Sequence, residues 1–326
     1  MNKISKKLSR NFRMLSVGQR TLYKSLAIFM TIFILATILS QGVFVRPSNL
    51  MNLIVQNVLL GTVAFGQFYV ILTGGIDLSV GSVIGFTSVS IVLFHGLGVI
   101  PAIILSLLIS VAFGFINGAL VTYLKLPAFI VTMGTMQIIY SFTQVLSGGA
   151  AVYRGYDGTL VNEGLQEFFR FKILGISVPV FLYVGFILLA LLYMRTSTGH
   201  FTYSIGGNEE AAKFSGIPTK KVKISAYLIS SLLAGIGGLI YIFRVGEGNP
   251  QAGVAYPLDT VAAVVVGGAS LSGGIGTVIG TVLGVLTISM LGNVMNLLAI
   301  SPMMQLTIKG IIILLAVYMN TNSKKQ

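Results

Sequence analysis

No cysteine occurs in the chain, charged residues fill only 9% of its 326 positions, and acids number 8 against 21 basic residues. Without cysteine, disulfides, thiolate metal sites and thiol redox chemistry are excluded. An ordinary soluble protein carries about 25% charged residues, so this chain lacks the polar side chains to coat a globular body in water. Its two histidines, His95 and His200, are too far apart for a recognisable metal spacing and receive no role. What the chain does have is 55% apolar residues, a mean hydropathy of +0.91, and 39 glycines, a residue that lets membrane helices approach closely. These features define an all-α integral membrane protein, a polytopic helical bundle with broken or re-entrant helices and both termini cytoplasmic.

A spanning helix needs roughly 20 mostly apolar residues. Candidate spans lie near 26–44, 50–72, 80–95, 99–121, 128–147, 178–194, 223–243, 258–270, 275–295 and 304–319, about ten in all. Residues 1–25 form a basic segment with Lys3, Lys6, Lys7, Arg10, Arg13, Arg20 and Lys24 and no acid. The positive-inside rule puts that segment in the cytoplasm. No cleaved leader is expected, because the apolar run that follows is too long and ends without a small-residue cleavage site.

Ten crossings make 26–320 the membrane domain and return the tail 321–326, with Lys324 and Lys325, to the cytoplasm. They place the loop 195–223, rich in lysine, inside, and the loop 148–177 outside, where Arg154, Arg170 and Lys172 are balanced by Asp157, Glu163 and Glu167. With 15 basic residues inside and 5 outside, the orientation is self-consistent and the net charge of +13 reads as topology rather than nucleic-acid binding. Lys309, inside the last span, can snorkel to the outer interface.

Two glycine clusters match. Residues 74–81 (G-G-I-D-L-S-V-G) and 267–274 (G-G-A-S-L-S-G-G) share G-G-x-x-L-S-x-G, and each precedes a Val-Ile-Gly. Glycine-interrupted apolar segments at corresponding positions point to a transport pathway, because unwound backbone is tolerated only in a cavity or a protein interior. Two tight turns are the plain alternative. The candidate path comprises Gly74, Gly75, Asp77, Ser79, Gly81, Gly267, Gly268, Ser270 and Ser272, with Asn117, Asp259, Asn293 and Asn296.

Asp77 is an ionisable group in or beside the bilayer, a functional candidate by default. Its rival role is capping, with Asp77 or Ser79 accepting from the amides that open the next helix. The amides Gln56, Asn57, Gln67, Asn117, Gln137, Gln144, Asn293, Asn296 and Gln305 suit helix packing, and equally a neutral solute rich in hydroxyls.

In the loop 195–223, Asn208 can cap a helix of about two turns over 209–215, with Glu209 and Glu210 in its first turn and Gly216 and Pro218 ending it. Ala211, Ala212, Ser215 and Gly216 give it a small-residue face, as a docking element would have; a topology-setting surface loop is the plainer reading.

Residues 206–217 (G-G-N-E-E-A-A-K-F-S-G-I) resemble the E-A-A…G coupling loop of ABC importer permeases, in the form of the ribose/xylose/galactose branch. Thr73–Gly81, Leu258–Gly268 and Gln305–Lys309 resemble the same branch, in order and spacing. The resemblance covers about residues 45–320. It implies a permease dimer in the bacterial inner membrane, a separate cytoplasmic ATPase, and an external or periplasmic protein that delivers a monosaccharide. It places Asn208, Glu209, Glu210, Ala211, Ala212, Gly216 and Ile217 in the coupling loop, with Glu209, Ala211, Ala212 and Gly216 touching the ATPase. The family often has Arg where this chain has Lys213. No G-x-x-x-x-G-K-[ST] is present, so ATP is expected on the partner, and this chain needs no cofactor and is no enzyme. The competing reading is a proton-coupled sugar carrier that uses Asp77.

Overall fold

A computed structural model describes residues 17–153, 167 and 169–322. The early basic residues Lys3, Lys6, Lys7, Arg10 and Arg13, the loop residues Arg154, Asp157 and Glu163, and the tail residues Lys324 and Lys325 lie outside the described residues. The elements are α1 (Val17–Leu39), α2 (Pro47–Leu72), α3 (Val80–Leu93), α4 (Val99–Tyr123) and α5 (Ala128–Ser147), then a two-residue hairpin, β1 (Lys172–Ile173) with β2 (Ile176–Ser177), pairing Lys172 with Ser177. The second half comprises α6 (Val178–Met194), α7 (Ser197–Gly207), α8 (Glu209–Phe214), α9 (Thr219–Val245), α10 (Tyr256–Val266), α11 (Val278–Leu297) and α12 (Pro302–Asn322).

The helix ends follow local chemistry. Proline opens α2, α6 and α10 within the first two positions, where a missing N–H costs nothing. Thr196, Asn208 and Thr277 cap α7, α8 and α11 by accepting from the amides of Gly199, Ala211 and Gly280.

Among the described residues, seven helices are long and apolar enough to cross a bilayer, and eight segments qualify if α6 and α7, bent by 72° at their junction, count as one. This corrects the expectation of ten. The candidate near 258–270 is α10, whose 11 residues cover only about 16 Å, roughly half the hydrocarbon thickness. It begins inside the protein because the loop before it dips along α3: Val152 bridges Gly248, the amide of Asn249 donates to Ser88 Oγ at 3.1 Å, and Gly253 meets Gly81.

Bilayer-facing and central helices differ in what they bury. On α1, α4 and α5, large apolar side chains such as Ile38, Leu108 and Val145 are exposed, as lipid-facing residues must be. From Val58 to Leu72, α2 is buried on every side, and α9 packs against it and against α3 and α4. Small residues permit this approach: a Cβ on Gly66 would lie 2.7 Å from Ser230 Cα, and one on Gly114 2.6 Å from the Tyr227 carbonyl oxygen.

One of the tightest crossings, Gly81 on Gly253, yields a prediction. A Cβ on Gly253 would overlap the Gly81 carbonyl, and neither backbone can yield without moving α3 or α10. Gly253→Ala should cost about 2–3 kcal/mol, the upper range for overpacking, seen as a lower unfolding midpoint in detergent. Gly134→Ala, which faces open space on α5, should leave that midpoint unchanged.

Candidate functional site

The glycine clusters meet at the α8 end of the bundle. The amide of Gly274 donates to the Leu72 carbonyl at 3.0 Å, and Cβ atoms built on Gly273 and Gly206 show that these glycines pack against Gly74 and Leu72 respectively. Both α2 and α10 run toward this junction, so the two repeats enter it in the same direction. Gly74 turns the chain at φ +81° and Gly268 at φ +92°, a region that only glycine enters cheaply. Gly267 abuts Gly280, Gly268 lies under Thr21 and Ser25 of α1, and Ser270 Oγ accepts from the Ser272 amide at 3.3 Å.

Asp77 sits between α2 and α3, fully buried. Its Oδ1 accepts from the Ser79 amide at 3.0 Å and from Ser79 Oγ at 2.6 Å, while Oδ2 accepts from Ser230 Oγ on α9 at 2.8 Å. Asn117 on α4 donates to Ser79 Oγ at 2.8 Å and accepts from Thr135 on α5 at 2.7 Å. Thr132 donates to the Ile76 carbonyl at 3.0 Å. With its amide oriented to satisfy both groups, Gln67 pairs with the Asp77 backbone N–H and C=O at 3.2 and 2.9 Å. The carboxyl group thus ties four helices together and organises the break. It does not cap α3 in the expected way, since the amide it takes belongs to Ser79, the residue before the helix.

A separate polar cavity of about 160 Å³ lies at the opposite end. Gln56 and Asn57 of α2, Arg244 at the end of α9, Asp259 of α10, Ser289, Asn293 and Asn296 of α11, and Lys309 of α12 supply its polar walls. Arg244 Nη1 donates to the Gln56 carbonyl at 2.9 Å, Asn293 exchanges amide bonds with Asn49 at 3.0 Å, and Asn296 Oδ1 accepts from Gln305 at 2.9 Å. Lys309 Nζ lies 2.8 Å from Asp259 Oδ2. Lys309 therefore does not snorkel to the interface. A carboxylate within reach offsets its charge, and α12 is pinned to α10 by the pair.

The candidate path residues thus fall into two groups. Asp259, Asn293 and Asn296 line the cavity. Gly74, Gly75, Asp77, Ser79, Gly81, Asn117, Gly267, Gly268, Ser270 and Ser272 do not; they build packed backbone nearer the α8 end.

Helix α8 stands between α7 and α9 on the protein surface. The Asn208 side chain accepts from Ala211 N at 2.9 Å, Glu209 pairs with Lys223 of α9 at 2.5 Å, and Gly216 turns the chain away at φ +80°. Asn208, Glu209, Glu210, Ala211 and Gly216 are exposed and Ile217 is half-buried. Ala212 departs from the expectation of an ATPase contact: it is buried against Ile205 and Val222 and anchors the helix instead. Phe214, in contrast, is 90% exposed.

A family model described as branched-chain amino acid transport system / permease component matches residues 49–317. The chain belongs to this permease family. The permease is 42% identical over 297 residues to the ribose import permease protein RbsC of Bacillus subtilis (strain 168), covering 90% of this chain and 91% of the relative. It is 37% identical over 310 residues to RbsC of Escherichia coli K12, covering 93% and 94%. To the xylose transport system permease protein XylH of Haemophilus influenzae it is 33% identical over 362 residues, covering 93% and 96%. No solved structure matches it.

Sequence reasoning missed three features of the permease. Arg244 and Ser289 on the cavity wall carried no motif. The Asp259–Lys309 pair had a readable signal: two opposite charges within apolar spans need each other. Phe214 belongs to no motif, and its exposure is visible only in the fold.

Proposed function

We propose that the permease carries a monosaccharide of the ribose, xylose and arabinose class across the bacterial inner membrane, as the membrane-spanning subunit of an ABC importer. The observation that carries this reading is 42% identity to a ribose import permease over 90% of the chain. The geometry supports it, since a polar cavity and a capped, exposed helix lie at opposite ends of one apolar bundle. The α8 end faces the cytoplasm, in line with Arg195, Lys213, Lys220, Lys221 and Lys223 around it.

Two copies of the chain pair in the membrane, a separate ATPase docks on α8, and an external binding protein delivers the sugar to the cavity. Closure of the ATPase dimer pushes α8. The salt bridge to Lys223 and the Ala212 anchor pass that motion to α9, whose 27 residues reach from the coupling loop to Arg244 in the cavity wall. The glycine junction is where α2, α7 and the loop after α10 slide, because backbone meets backbone there with no side chain between.

The energy source tests the proposal. Membrane vesicles holding the permease, the ATPase and the binding protein should accumulate labelled D-ribose only with ATP inside, and an uncoupler should not stop them. Uptake that persists without ATP and collapses with the uncoupler would overturn the importer and restore a proton carrier centred on Asp77.

A further inference from the structure

The wall of the cavity holds a buried hydroxyl that bonds none of the described residues. Ser289 lies on its wall and is 5% exposed, yet its Oγ has no hydrogen-bond partner among the described residues. Buried polar atoms are almost always satisfied, so an unpartnered hydroxyl in a cavity wall calls for a partner that a small movement of the wall would admit. Around it, capacity is left over. Asp259 gives Oδ2 to Lys309 while no described residue bonds its Oδ1. Asn57 spends one amide N–H on the Leu53 carbonyl, and Arg244 spends one of its five donors on Gln56.

Acceptors (Asp259 Oδ1, Ser289 Oγ) and donors (Asn57, Arg244, Lys309) therefore converge on a space of about 160 Å³. That is well under the roughly 300 Å³ at which drug-sized pockets begin. A monosaccharide ring matches the inventory: it is small and uncharged, and every hydroxyl both donates and accepts. A disaccharide is too large.

We infer that the cavity is a solute-recognition subsite belonging to the permease itself, in which Asp259 and Ser289 bond sugar hydroxyls and Lys309 is a positioning residue that holds Asp259 in place. The inference rests on the sugar-import reading and extends it: selectivity is exercised a second time, after the binding protein has released its cargo. Lys309 matters because a carboxylate left alone in an apolar wall would be heavily penalised.

The test is ligand-observed saturation-transfer NMR on the full chain in lipid nanodiscs, with D-ribose, maltose and L-leucine as probes. D-Ribose should give a saturable signal, and maltose and L-leucine none. Ser289→Ala should weaken the D-ribose signal about fivefold, the loss of one net hydrogen bond. Because that hydroxyl bonds none of the described residues, removing it should not harm the fold, and a merely structural serine would leave the signal alone.

In the reconstituted importer, the same variant should shift the ratio of D-ribose to D-xylose import by about threefold or more, on the same hydrogen-bond scale. A Ser289→Ala signal and import ratio equal to wild type would overturn the inference, as would L-leucine displacing D-ribose. A wild-type importer that moves D-ribose while its permease gives no D-ribose signal would sink this subsite alone. A wild-type importer that moves no sugar would instead sink the reading beneath it.

Discussion

Asp77→Ala is expected to destabilise the permease by on the order of 4 kcal/mol, enough to abolish folded protein in the membrane. The substitution strips the acceptor from three donors at once, the Ser79 amide, Ser79 Oγ and Ser230 Oγ. Each buried donor left unpaired costs about 1–3 kcal/mol, and no water reaches a site that is fully buried. The damage spreads because Asn117 and Thr135 hang from Ser79.

Asp77→Asn separates structure from chemistry. Its carbonyl oxygen can keep both bonds from Ser79, and its NH₂ can donate to Ser230 if that hydroxyl turns. Unfolding midpoints in detergent should therefore rank wild type, then Asn, then Ala far below, and Asp77→Asn should retain ATP-driven uptake. An Asp77→Asn protein that folds normally and transports nothing would mean that the carboxyl group carries protons, as the competing carrier reading requires.

Phe214→Ala should cut sugar import at least tenfold while leaving the permease as stable as before. An aromatic side chain 90% exposed at the tip of a capped helix is what a protein interface leaves uncovered in an isolated subunit. Its removal should not disturb α8, which is fixed by the Asn208 cap, the Glu209–Lys223 pair and the buried Ala212. Interface anchors of this kind contribute about 2–4 kcal/mol, or roughly 30-fold or more in affinity. The expected result is loss of ATPase co-purification in detergent. Leu174→Ala, an equally bare apolar residue at the hairpin tip, provides the control and should retain the ATPase. If Phe214→Ala binds the ATPase and transports like wild type, α8 is not the coupling element.

The legible part of the site was the part written in consecutive residues. Asn208, the two glutamates after it and Gly216 defined a short helix because a cap and a stop are read within a few positions. The same locality exposed the two glycine clusters as a repeat. Their meeting was not legible, nor was the distance between them and the cavity. The clusters lie at one depth of the bundle, and Asp259, Asn293 and Asn296 at another. Ala212 was assigned to the wrong surface because a six-residue helix has too little periodicity to show which side faces α7 and α9.

The sequence alone determined that this is a membrane protein, where most spans begin and end, and where the short capped helix stands. Apolar run length against bilayer thickness, and turn chemistry at proline, glycine and asparagine, are local quantities. The tertiary structure decided that α10 is a half-span, that Asp77 is a four-helix tie, and that Lys309 belongs to Asp259. A span apolar on every side carries no amphipathic stripe to say which face meets which neighbour. In lipid that choice falls to close packing of small residues and to the pairing of a few polar groups, which become visible only when distant segments are side by side.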